Sequence, residues 1–169
     1  KGRFLYLIVY DKEIIAQARQ IIPDVALRTS LIVGFPHETS KRFEKLLDFV
    51  RETKFDHLGV FTYSREEETG AAKMKSQVSE KEKERRRDLI MTEQAAISHD
   101  INKSLIGSIQ EVLIEEKSER QEFDFIGRCS RQAPEIDGVT YIKGKQAKTG
   151  ALVKYKITAA DNYDLFAEI

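Results

Sequence analysis

Cysteine is nearly absent. The 169-residue sequence holds one, Cys129, and a lone thiol can neither close an internal disulfide nor, by itself, hold a zinc ion or an iron–sulfur cluster. Excess charge of either sign is absent too. Lysine plus arginine and aspartate plus glutamate each number 28, so the basic surplus of a dedicated nucleic-acid binder is missing. No hydrophobic run is long. The longest, Phe4-Leu5-Tyr6-Leu7-Ile8-Val9-Tyr10, falls far short of a bilayer span. It follows Lys1-Gly2-Arg3 without a small-residue cleavage site, so it does not read as a signal peptide. These absences point away from membranes and toward the cytoplasm. What is present is ordinary for a globular chain, 33% charged and 41% hydrophobic, with room for one domain or two small ones.

The first region, to about Ser64, alternates helix and strand signals. Asp11 is placed to cap a helix whose stripe is Ile14, Ile15, Ala18, Ile21 and Ile22, stopped by Pro23. The nearly continuous apolar run from Val25 to Phe35, closed by Pro36, reads as a strand buried on both faces, as in parallel sheets. Thr39 or Ser40 then caps a helix with its stripe on Phe43, Leu46, Leu47 and Val50. His57 to Tyr63 reads as a second buried strand. Strand, helix and strand with short connections make a βαβ unit. Two such strands cannot close a sheet, so their domain is expected to extend beyond this chain.

A polar linker from Ser64 to Ser76 leads to a capping box, Ser79 with Glu82, and a long helix to about Leu105. Its apolar face carries Ile90, Ile97, Ile101 and Leu105, and Gly107 ends it. Arg85-Arg86-Arg87, set among Glu80, Glu82, Glu84 and Asp88, reads as a solvated, salt-bridged face. The third region alternates with period two. Ile109 to Glu116, a run with Phe123, Phe125, Gly127 and Cys129 on one face, Val139 to Ile142, Val153 to Ile157, and Tyr163 to Ile169 make five short strands. They suggest a small barrel of oligonucleotide-binding type.

Chemistry concentrates at Ser30 to Thr39, where Gly34 and Pro36 end a parallel strand and lead into a helix N-terminus, the edge where α/β folds collect ligands. Gly34 would let a ligand approach the backbone. Arg28, Ser30, Ile32 and Gly34 project to one side, because side chains alternate along a strand. A buried Arg28 needs a partner, either a carboxylate of the fold or an anionic ligand group. His37, His57 and His99 sit in different elements without metal-ligand spacing, and His37 and His99 read as solvated. Cys129 reads as a small buried hydrophobe. Acidic and basic residues balance in the last region, which favours a protein partner over RNA. A strip of Lys143, Lys145, Lys148, Lys154 and Lys156 leaves RNA open.

The stretch Leu27-Arg28-Thr29-Ser30-Leu31-Ile32-Val33-Gly34-Phe35-Pro36, followed by Glu38-Thr39, resembles the fifth-strand segment of radical SAM methylthiotransferases. Phe55 to Glu67 resembles their sixth strand and following loop. Gln77-Val78 and the helix through Arg87 to Ile97-Ser98 fit their linker, and the final barrel resembles a TRAM domain. Gly127-Arg128, Ala133 to Val139 and Tyr141 are similar to the RimO branch, which acts on an aspartate of a small-subunit ribosomal protein. The sister MiaB-like branch acts on an adenosine of tRNA. A stand-alone RNA- or protein-binding module is a third reading.

The resemblance implies a fold and a division. Residues 1–77 would be the C-terminal part of a TIM-like radical SAM barrel, 78–102 a connecting helix, and 103–169 an all-β, five-stranded TRAM barrel. It implies S-adenosylmethionine and 4Fe–4S clusters in the full-length enzyme. The CxxxCxxC triad for the cluster is not in this sequence, so the chain alone should be inactive. Arg28, Ser30, Ile32 and Gly34, with Phe61 and Tyr63, would form one wall of the adenosylmethionine site, and Arg128, Asp137 and Tyr141 would grip the substrate protein. Catalytic and metal-ligating residues are not expected here. Two positions depart from the family: His37 stands where glycine is usual, and Glu68 where glycine is common. Residues 1–10 match less cleanly and read as a piece of an earlier strand.

Overall fold

A computed structural model describes residues 3–144 and 148–168, with side chains from residue 12 onward. Lys145 of the lysine strip, Ile169, and the side chains of Asp11 and of the Phe4 to Tyr10 run lie outside the described residues. The chain forms two compact units, 1–97 and 98–169.

The first unit opens with helix α1, Arg3–Ile21. The run from Phe4 to Tyr10 is therefore helical rather than strand, and Asp11 lies inside the helix rather than at its start. No glycine or proline separates that run from the Ile14 stripe, so nothing breaks the helix between them. Strand β1, Arg28–Val33, pairs in parallel with strand β2, His57–Thr62. Between them runs helix α2, Ser40–Thr53, capped by Thr39. Helix α2 buries Phe43, Leu46, Phe49 and Val50, each contributing about 1.5–3 kcal/mol. Lys54, in the left-handed conformation, closes the helix through its N–H to Val50.

β1 is not buried on both faces. Thr29, Leu31 and Val33 are half-buried or buried, while Arg28, Ser30 and Ile32 are exposed. One sheet face is covered within this unit and the other is open. Continuous apolarity along a strand cannot reveal which neighbours the chain itself supplies. After a short 3₁₀ turn, Ala71–Lys73, helix α3 spans Glu80–Ser104. Ser79 accepts from the Glu82 N–H at 3.4 Å, one half of the capping box. Ile90 and Ile97 are buried, as the stripe required.

The second unit is a closed barrel of five strands: β3 (Ile109–Lys117), β4 (Phe125–Cys129), β5 (Thr140–Lys143), β6 (Leu152–Ala160) and β7 (Leu165–Glu168). Their order around the barrel is β3-β4-β5-β7-β6. All pairs are antiparallel except β5 with β7. Irregularities at Ile114/Glu116 and Ile157/Ala159 bend β3 and β6, as closing a small barrel requires. The interior is Val112, Ile114, Cys129, Ile142, Tyr155, Ile157, Leu165 and Ala167. Phe123 does not share the inward face of β4. It lies before the strand and packs on Tyr141 and Phe166, with ring centroids 5.3 and 5.4 Å away. Tyr163 likewise precedes β7 and is exposed.

Candidate functional site

The open face of the first unit is set by register. Arg28 lies beside His57, Ser30 beside Gly59, and Ile32 beside Phe61. Parity puts all six on one side, opposite the buried Val33 and Leu58. Ile32 and Phe61 are adjacent and remain 60% and 61% exposed, a small apolar shelf. A Cβ on Gly59 would meet Ser30 Oγ at 3.8 Å and the Phe61 ring at 3.9 Å, both ordinary contacts. Of the six residues expected to line a ligand wall, Arg28, Ser30, Ile32 and Phe61 are thus brought together. Arg28 is exposed rather than buried, which removes the requirement for a partner that burial would impose.

Gly34 and Tyr63 face something else. Gly34 has φ +78°, and a Cβ on it would come within 2.3 Å of Lys83 Cγ. The space beside its backbone is filled by the Lys83 stem rather than left for a ligand. Lys83 Nζ donates to the Tyr63 carbonyl and to Glu80, both at 2.7 Å. It also stands 5.2 Å from the Tyr63 ring, which packs edge-on against Phe35. The Tyr63 hydroxyl is buried without a hydrogen-bond partner.

The turn after β1 is held from both sides. The Gly34 N–H donates to Glu38 Oε2 at 2.5 Å. Arg86 Nη1 donates to the same oxygen and to the Glu38 carbonyl, each at 2.8 Å. Arg86 Nε donates to Glu82 at 2.8 Å, and its guanidinium lies over Phe43. Arg85, then Arg86, hold the Glu82 carboxyl at a pKa of about 2. His37 has φ +67°, so a conformation that favours glycine is occupied here by histidine. Its backbone is pinned by its N–H to Ser76 and its carbonyl to Arg42. Arg86 is therefore not part of a solvated face.

In the barrel, Arg128 is half-exposed and ion-paired with Glu115 at 2.5 Å. Asp137 accepts from the Ala133 N–H at 2.7 Å, closing the loop 133–137. Tyr141 is buried in an outer-wall cluster, stacked on Phe166 at 5.6 Å and covered by Arg120 at 4.0 Å. Gly127 and Gly138 are required by packing: a Cβ would meet the Leu113 carbonyl at 2.2 Å or that of Tyr163 at 2.1 Å. Cys129 is buried, and desolvation pushes its thiol pKa up. His99 is half-buried with Nδ1 unpartnered, not solvated. Among the described residues no group of three or more His, Cys, Asp or Glu is placed to hold a metal ion, and no helix is long and apolar enough to cross a membrane.

A family model described as the TRAM domain matches residues 106–169, the barrel. Three curated relatives are named ribosomal protein uS12 methylthiotransferase RimO. The protein of Syntrophus aciditrophicus is 59% identical over 90% of this chain and 34% of its own length. Those of Geobacter sulfurreducens and Citrifermentans bemidjiense are 51% and 50% identical over 94% of this chain and 35% of their own. This chain is similar to these RimO proteins over nine-tenths or more of its length. It spans about a third of the length of the relatives it matches.

Sequence reasoning missed Lys83 and Arg86 as interior residues, only 2% and 4% exposed. A signal was available. Extending the α3 face of Ile90 and Ile97 toward the N-terminus at spacings of three and four falls on Arg86 and Lys83.

Proposed function

We propose that this chain is the C-terminal part of an enzyme that methylthiolates an aspartate of ribosomal protein uS12 in the cytoplasm. The observation that carries the reading is the identity to RimO proteins over nine-tenths of the chain. Residues 1–77 belong, on this reading, to a radical SAM barrel completed by the rest of the polypeptide, with 78–102 as connecting helix and 103–169 as the TRAM barrel. Cluster ligation needs several thiolates. The chain's single cysteine is buried in the TRAM barrel, so its residues do not fit a 4Fe–4S cluster, and the ligands fall to the remainder of the protein.

Adenosylmethionine suits the open shelf better. Ile32 and Phe61 offer an apolar surface for a flat adenine ring, with Ser30 and Arg28 alongside for polar groups. Gly34 and Tyr63 lie just past the ends of β1 and β2, against Lys83. When bound, adenosylmethionine supplies radical hydrogen abstraction and the methyl group. These residues bind and orient it and hold no proton. On the barrel, Arg128 offers charge to uS12, Asp137 shapes the loop 133–137, and Tyr141 anchors the aromatic wall.

Equilibrium binding of adenosylmethionine to the full-length protein tests the shelf. Phe61→Asp and Ile32→Asp place a charge against the ligand and should weaken binding about tenfold, near 1.4 kcal/mol. Unchanged affinity in both would overturn the assignment. Methylthiolation of tRNA in place of uS12 would move the substrate to the MiaB-like alternative.

A further inference from the structure

Two cations of α3 are buried beside the ends of both strands, away from the shelf itself, and the reading above gives them no role. Lys83 reaches β2's end through the Tyr63 carbonyl and fills the hollow beside Gly34 at β1's end. Arg86 grips the turn between β1 and α2 through two Glu38 oxygens. Glu38 is itself 9% exposed at its side chain and holds the Gly34 N–H. Phe35 and Tyr63, one beyond each strand, are in edge contact at 5.2 Å.

Buried charges are a poor choice for stability alone. Apolar residues of the same volume often serve as well or better, whereas paired charges fix one geometry. The polar atoms here are spent on backbone groups of the two strand ends, which lie beside the shelf. Helix α3 would therefore set how the ends of β1 and β2 stand relative to one another. A displacement of Gly34 or Tyr63 would tilt Ile32 or Phe61, each two residues upstream.

We infer that Lys83 and Arg86 are positioning residues for adenosylmethionine, acting through Glu38, Gly34 and Tyr63 without touching it. The inference rests on the assignment of the shelf to that ligand.

The test uses the full-length, cofactor-reconstituted protein and two readouts: calorimetric affinity for adenosylmethionine, and amide exchange of the segment 34–38. Arg86→Met should weaken binding about fivefold, as expected for coupling through a contiguous network, and speed exchange at Gly34. Arg86→Lys should recover part of the affinity, because one donor can still reach Glu38. Arg87→Met is the control: Arg87 pairs with its neighbour Asp88 on the exposed side, and affinity should not change.

Arg86→Met leaves the Glu38 carboxylate buried without that partner and could cost folding. The double variant Glu38→Gln/Arg86→Met removes both charges. Recovered thermal stability with binding still about fivefold weak supports positioning. Recovered stability together with wild-type affinity would overturn it, showing that the pair serves folding only. A wild-type protein that binds no adenosylmethionine overturns the shelf assignment, and this inference with it.

Discussion

Replacing Gly127 by alanine asks whether glycine there serves the barrel's closure. The added Cβ would sit 2.2 Å from the Leu113 carbonyl oxygen and 2.9 Å from Val112 Cγ1. Neither atom is the free end of a flexible chain, so β3 and β4 must part by roughly 1 Å in a close-packed wall. Overpacking of this kind costs about 1–3 kcal/mol. Weakening the ladder where Ile114 faces Gly127 adds about 1 kcal/mol. The sum, about 3 kcal/mol, corresponds to a fall of roughly 10–25 °C in melting temperature for a unit of this size. Gly70→Ala is the control, since nothing lies within 4 Å of a Cβ there. Circular dichroism during heating and in urea measures both variants. If Gly127→Ala melts together with Gly70→Ala, the close-approach reasoning is wrong.

Three other outcomes follow from the same contacts. Burial holds the Cys129 thiol and the Tyr155 phenol above their ordinary values of 9.0 and 10.0. The unfolded groups therefore ionise first, so stability is full below pH about 9 and falls as pH rises further; Cys129→Ala should flatten the lower part of that decline in urea titrations. Tyr141→Phe keeps the stack on Phe166 and should change stability by less than about 0.5 kcal/mol, whereas Tyr141→Ala should cost about 3 kcal/mol by chemical denaturation. Gly34→Ala should be strongly destabilising alone, but in a Lys83→Ala background the clashing Cγ is gone. The double variant should then lose at least about 1 kcal/mol less than the two single losses added, and simple additivity would refute the contact.

Much of this was legible in the sequence, for local reasons. Thr39 as a cap, Pro23 as a stop, the period-two strands of the barrel and the parallel pair around α2 all follow from neighbours in the chain. What was hidden depends on distant partners. Arg86 sits among glutamates, so its local pattern equals that of a solvated face; only Glu38, 48 positions away, makes it interior. Gly34 looked like room for a ligand because glycine leaves space, and which group takes the space is decided by α3. Phe123 alternated correctly with Phe125, yet its strand begins later, and the outer aromatic wall claims it. That Arg28, Ser30, Ile32 and Phe61 share one face was legible because strand parity and parallel register suffice to place them there.

Mass spectrometry of purified uS12, after incubation with the full-length polypeptide, its iron–sulfur clusters, a reductant and adenosylmethionine, bears most directly on the proposed function. One methylthio group on one aspartate of uS12 is the expected result. Unmodified uS12 alongside methylthiolated tRNA, or no transfer to either by a fully loaded protein, would contradict it.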